Sequence, residues 1–211
     1  MRRLLDGYAR FRHEVFPQWK DHFHLLAELQ KPDTLFITCA DSRVVPTMIF
    51  QSEPGDLFLC RTAGNIVPPY GAMPGGVSAT VEYAVEVLHV EHIVVCGHSD
   101  CGAVKAKFDR RDLSGLPITA QWLGFMDAAW NYLDPACGDD PHAQYTSLIH
   151  ANVVAQVEHL KTHPEVARRL EAGKLQVHGW YYDILTGAVE AYDEATRNFR
   201  PLEDLAQTPA K

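Results

Sequence analysis

Along the chain, short continuous apolar runs alternate with longer stretches whose apolar positions recur every three or four residues. Four runs read as strands: residues 34–39 (TLFITC), 56–61 (DLFLCR), 92–96 (HIVVC) and 175–181 (LQVHGWY). The first three are almost wholly apolar rather than alternating, as expected of parallel strands covered on both faces. Between them, Val77, Val81, Ala84, Val85 and Leu88 keep helical spacing after the breaker Pro74-Gly75-Gly76. Ile118, Trp122, Phe125 and Ala129 make a second helical stripe, and Val153, Val157 and Leu160 a third. Pro32 and Pro164 mark further boundaries. Strands alternating with helices through short links predict an α/β fold: a parallel-sheet core flanked by helices, with an N-terminal helical arm over residues 1–29. No repeat or linker interrupts the pattern. Residues 1–211 are expected to form a single domain with a loose tail over 201–211.

Composition narrows the function. The 211 residues carry 27 acidic and 19 basic side chains, a net charge of −8. That sign is opposite to what phosphate neutralisation requires, so neither nucleic acid nor an anionic membrane is expected as a partner. No stretch approaches the roughly 18 apolar residues of a membrane span. Asp6, Arg10 and Arg12 break the N-terminal apolar run before a signal sequence could form, which predicts a cytoplasmic protein. Five cysteines, an odd and dispersed set, do not make a disulfide scaffold and read as reduced thiols. Cys60 and Cys96 lie inside apolar strands as core residues, and Cys137 sits in a loop with no evident role. His178, also within a strand, reads as a hydrogen-bonded structural histidine. Neither a G-x-G-x-x-G fingerprint nor a Walker loop is present.

Two loops place polar, metal-competent residues directly after buried strands. Cys39-Ala40-Asp41-Ser42-Arg43 follows the first strand, and Gly97-His98-Ser99-Asp100-Cys101-Gly102 the third. In open parallel sheets ligands gather beyond the carboxyl ends of the strands, so both loops open on one edge. On spacing alone they fit either a three-ligand zinc site, open at its fourth position, or ordinary core cysteines at strand ends. A thiol hydrolase with Cys39 or Cys101 as nucleophile and His98 as base is a further reading. Asp41 could close the fourth position or stand beside it, and Arg43 can hold its carboxylate in a bidentate fork.

The segments CADSRV (39–44) and GHSDCGAV (97–104), with EPGDLF, RTAGNIVP, GGVSATVEYAV and HGWYYD, resemble the β-class carbonic anhydrases over residues 30–182. The likeness is greatest to the plant enzymes and to the bacterial branch associated with cyanate metabolism. The resemblance implies one Zn2+ per chain on Cys39, His98 and Cys101, Asp41 and Arg43 as a catalytic dyad, and hydration of CO2 to bicarbonate. It also implies a homodimer or dimer of dimers, with Gln30, Phe58, Tyr83 and Gly102 lining a substrate pocket at the dimer interface. CS2 or COS hydrolysis and a non-catalytic zinc module are the alternatives. Departures from the pattern are Ala40, Thr62 and Asp100. In one branch of the family the dyad Asp moves onto zinc when bicarbonate binds near a Trp; here that position is Phe36, which lacks a donor. Asp41 is therefore expected to pair with Arg43, while Arg61 and Tyr182 are candidates for either an anion site or structural roles.

Overall fold

The computed structural model describes residues 1–73 and 75–206. The chain opens with α1 (Arg2–Arg10), runs on through a wide turn and a tight turn, and turns back into α2 (Lys20–Glu28). Then follow β1 (Thr34–Cys39), α3 (Pro46–Ile49), β2 (Leu57–Thr62), α4 (Gly76–Glu86), β3 (His92–His98), α5 (Gly102–Phe108) and α6 (Pro117–Leu123). The C-terminal part contributes α7 (Pro141–Lys161), α8 (Pro164–Glu171), β4 (Gln176–Tyr182), β5 (Val189–Asp193), β6 (Asn198–Pro201) and α9 (Leu202–Ala206).

One six-stranded sheet runs in the order β2-β1-β3-β4-β5-β6. The four apolar runs form its parallel part, each within a residue or two of its expected limits. β5 and β6 continue it as antiparallel strands that the apolar pattern did not announce. Both are short, β5 is only partly buried at most positions and β6 is mostly exposed, so neither carries a continuous apolar run. The stripe at 118–129 is only half an α-helix: α6 gives way at Gly124 to 3-10 winding through Tyr132, and Ile118 is exposed. The segment expected as a tail starts with the end of β6 and the short α9; residues 207–211 lie outside the described residues.

The larger core lies between the sheet and α4, α7 and α8. There Leu35, Ile37, Ile93 and Val95 meet Val81, Ala84, Val85, Val157 and Leu160. Burying each of these large side chains stabilises the fold by roughly 1.5–3 kcal/mol. α7 sits very close to β3: a Cβ at Gly97 would come within 2.7 Å of Val153 Cγ2, so only glycine permits this approach. A second core packs Cys39, Cys101, Val104, Leu123, Met126, Ile149 and Tyr181 around the carboxyl ends of β1 and β3. The opposite sheet face carries a thinner cluster of Phe36, Val94 and Cys96 beneath Phe50, Trp180 and Tyr182. α1 buries none of its residues, and its Leu4, Leu5 and Tyr8 stand exposed.

Candidate active site

Cys39 is the last residue of β1, His98 the last of β3, and Cys101 the N-cap residue just before α5. β1 and β3 are paired neighbours, so ending both strands at one level brings these side chains together. Their ligand atoms all lie within 4.8 Å of one another, and all three residues are buried. The two sulfurs stand 4.0 Å apart, far beyond a disulfide bond and close to the roughly 3.8 Å between thiolates on a tetrahedral zinc. His98 Nδ1 donates to the Ser99 carbonyl at 2.8 Å, because a carbonyl can only accept. That bond leaves Nε2 as the lone-pair nitrogen, and this atom is buried with no hydrogen-bond partner. An orphaned, buried imidazole nitrogen facing two thiols is the donor set of a metal site.

The electrostatics agree. The hydrogen bond with Cys101 and those from the Gly64 and Asp41 amides hold the Cys39 thiol down at about 4, against the opposing effect of burial. The Cys39 hydrogen bond, burial and the Cys39 charge together push Cys101 well up. One thiolate forms readily; the second needs a cation to offset the first. Cys60 and Cys96, by contrast, are raised to about 11 and about 12 by burial and are inert core thiols.

Asp41 and Arg43 form the expected fork. Arg43 Nε donates to Asp41 Oδ1 at 3.0 Å and Nη2 to Oδ2 at 2.8 Å, while the Arg43 amide donates to Oδ1 at 2.9 Å. These bonds hold the Asp41 carboxyl well below the usual carboxylate range. Its Oδ2 lies 3.9 Å from His98 Nε2, beside the three ligand atoms rather than among them.

Gly102 follows directly on Cys101, and a Cβ there would meet nothing within 4 Å, so it leaves open space beside the triad. The other expected pocket residues sit elsewhere in the chain. Phe58 pairs with Leu35, four residues before Cys39, which is roughly 13 Å along the strand. Its ring packs 5.9 Å from that of Tyr83 on α4. Tyr83 and Gln30 line one groove of about 1250 Å³ at the amino ends of the strands.

Several residues support the site, of which the sequence had singled out only Arg61, as a candidate for an anion site or a structural role. Arg61 donates to the carbonyls of Cys39, Asp41 and Val44, which staples the dyad loop. That role is structural. Gly64, at φ +75°, turns its amide to within 3.4 Å of Cys39 Sγ. Its own carbonyl accepts from Asn152 Nδ2 on α7, and Gln156 ties Asn152 to the Val67 amide and the Phe125 carbonyl. Tyr145 Oη donates to the Cys101 carbonyl at 2.9 Å. Apart from the Gln156–Asn152 bond within α7, these contacts span distant parts of the chain, so no local spacing marks them. His178 is hydrogen-bonded as expected, with His92 Nδ1 at 3.2 Å.

A family model described as carbonic anhydrase matches residues 34–189. The solved structure of the β-carbonic anhydrase CcaA superposes with a TM-score of 0.90 at 41% identity, covering 95% of this chain and 91% of that one. The chain belongs to the β-class carbonic anhydrases. A carbonic anhydrase of Pseudomonas aeruginosa is 50% identical over 210 residues, spanning 100% of this chain and 96% of the relative. Carbonic anhydrase 1 of Escherichia coli O157:H7 is 46% identical over 202 residues, spanning 96% and 92%. A Coccomyxa β-carbonic anhydrase in complex with acetazolamide superposes with a TM-score of 0.78 at 30% identity, over 89% of this chain and 84% of that one. The Cys-His-Cys cluster is thus the metal site of a carbonic anhydrase, and the chain is an enzyme of that activity. Among the described residues no helix is long and apolar enough to cross a membrane.

Proposed function

We propose that this carbonic anhydrase holds one zinc ion per chain on Cys39, His98 and Cys101, and that Asp41 and Arg43 form its catalytic dyad for the reversible hydration of CO2 to bicarbonate and a proton. The observation that carries the reading is the orphaned His98 Nε2 facing two thiols, with the Arg43-bound Asp41 beside it. Zinc bound there supplies an acidified water, a nucleophile available near neutral pH. Asp41, kept ionised by Arg43, would offer Oδ2 as the hydrogen-bond acceptor that orients the nucleophile. Arg43 fixes the carboxylate through both of its oxygens.

Gln30, Phe58 and Tyr83 are too far along the sheet from the triad of their own chain to line its pocket. In a homodimer, or a dimer of dimers, these residues of one protomer cover the metal centre of its partner. Phe58 and Tyr83 supply an apolar wall for CO2, and the Gln30 amide a donor for the bicarbonate that forms. The exposed apolar stripe of α1 supports such an assembly. Two reduced thiols in the site suit a cytoplasmic location.

The deciding experiment is stopped-flow CO2 hydration on protein of measured zinc content, with Asp41→Asn alongside wild type. The variant is expected to keep its zinc and lose about 10²–10⁴-fold in kcat. Hydration near the wild-type rate in Asp41→Asn would overturn the dyad.

A further inference from the structure

We propose that Asp100 is a positioning residue: it clamps the far side of the Arg43 guanidinium and thereby keeps Asp41 off the metal. This rests on the reading of Asp41 and Arg43 as the dyad. Arg43 spends Nε and one Nη2 donor on Asp41, and its remaining reach goes to a single residue. Nη1 donates to Asp100 Oδ2 at 3.0 Å, and Nη2 donates also to the Asp100 carbonyl at 3.0 Å. The guanidinium is thus held between the two catalytic loops, β1–α3 on one side and β3–α5 on the other.

Distances show why this matters. On a tetrahedral metal with bonds of about 2.1 Å, a nitrogen and an oxygen ligand stand about 3.4 Å apart. Asp41 Oδ2 is 3.9 Å from His98 Nε2, roughly half an ångström outside that separation. A small swing of the Asp41–Arg43 unit would make the carboxylate a fourth ligand and displace the nucleophile. Asp41 cannot swing with Arg43 unless Arg43 leaves Asp100. As a charge, Asp100 contributes little, since its side chain is 61% and that of Arg43 43% exposed, where water screens the pair. Its effect is geometric. The backbone suits this role, for Asp100 adopts φ +53°, a left-handed conformation that Asp and Asn tolerate better than other side chains. That turn aims both its carboxylate and its carbonyl at Arg43.

Three variants test the inference. Asp100→Gly removes the carboxylate without straining the turn, Asp100→Ala removes it with a Cβ retained, and Asp100→Asn keeps an acceptor for Nη1 without the charge. Crystal structures of the zinc-loaded proteins at neutral pH are expected to show Asp41 bound to zinc in the Gly and Ala variants, and paired with Arg43 in Asn. The absorption spectrum of cobalt-loaded protein should change in the same two variants. Their kcat should fall about ten-fold at unchanged KM and zinc content, as when nine molecules in ten hold Asp41 on the metal; Asp100→Asn should stay within about two-fold of wild type. Wild-type kcat and Asp41 geometry in Asp100→Gly would overturn the proposal, as would equal losses in all three variants with Asp41 unmoved. Asp41→Asn is the reference: if it loses hydration while Asp100→Gly does not, the dyad stands and only the clamp fails.

Discussion

Each residue at the metal centre does something that no isosteric neighbour would. Cys39 is held anionic by the donors around it, so on the proposed zinc assignment exchanging it for a weak hydroxyl would remove both a ligand and the charge that zinc neutralises. Even the loss of an outer partner of a zinc ligand typically weakens binding 10–100-fold, and loss of the ligand itself costs more. Cys39→Ser is therefore expected to retain well under one zinc per chain after dialysis against a chelator, measured by elemental analysis. The same two thiolates set the pH dependence. They offset more of the zinc charge than three neutral imidazoles would, so water on the metal is acidified less than the value near 7 of three-histidine sites. The midpoint of the kcat/KM profile is expected above roughly 7; a midpoint at or below it would contradict this charge argument. These residues were legible because CADSR and GHSDC each pack their chemistry into a few consecutive positions. Gly64 was not, and Arg61 only as a candidate for two roles, since what they do depends on which backbone groups the fold brings to them.

At the scale of elements, α7 does the most. Its middle turns press Val153 against Gly97, while Asn152 and Gln156 hold the loop that offers the Gly64 amide to Cys39. Its apolar stripe was legible in Val153, Val157 and Leu160, but this polar network was not. One turn earlier, His150 stacks on Phe199 of β6 at 4.1 Å and meets Tyr181 of β4 edge-on at 4.5 Å. Burial lowers its pKa from 6.5 to about 4. The unfolded chain therefore takes up a proton at higher pH than the folded one, and stability is lost as pH falls from about 6.5 towards 4. The slope is at most about 1.4 kcal/mol per pH unit, and the charge of Asp134 opposes the shift. His150→Phe keeps the ring stacking and removes the titration. Between pH 7 and pH 5 its Tm should drop several degrees less than that of wild type, in thermal melts of the two zinc-loaded proteins. Equal drops would mean that His150 is not buried neutral.

For the whole molecule, the division of the pocket residues is decisive. The triad, the dyad and Gly102 meet at the carboxyl ends of β1 and β3, whereas Gln30, Phe58 and Tyr83 gather towards the amino ends. Deleting residues 1–19 removes the exposed stripe of α1 and should yield monomers in sedimentation velocity, with zinc retained and kcat/KM reduced at least ten-fold. A deleted form that remains dimeric would show that other surfaces suffice; a fully active monomer would refute a shared pocket. By itself the sequence determined the parallel strands, the helices whose stripes face one core, and which residues are the candidate ligands and dyad. Those are written locally, as unbroken apolar runs, helical spacing and motifs of a few residues. The tertiary structure decided the rest. It appended β5 and β6, which are too short and too exposed to carry an apolar signature, and unwound the second half of the stripe at 118–129. The Asp41–Arg43 pair was already expected from the sequence, but the bond from Arg43 to Asp100 on a loop 57 residues away was not, since no periodicity carries information across that distance in sequence.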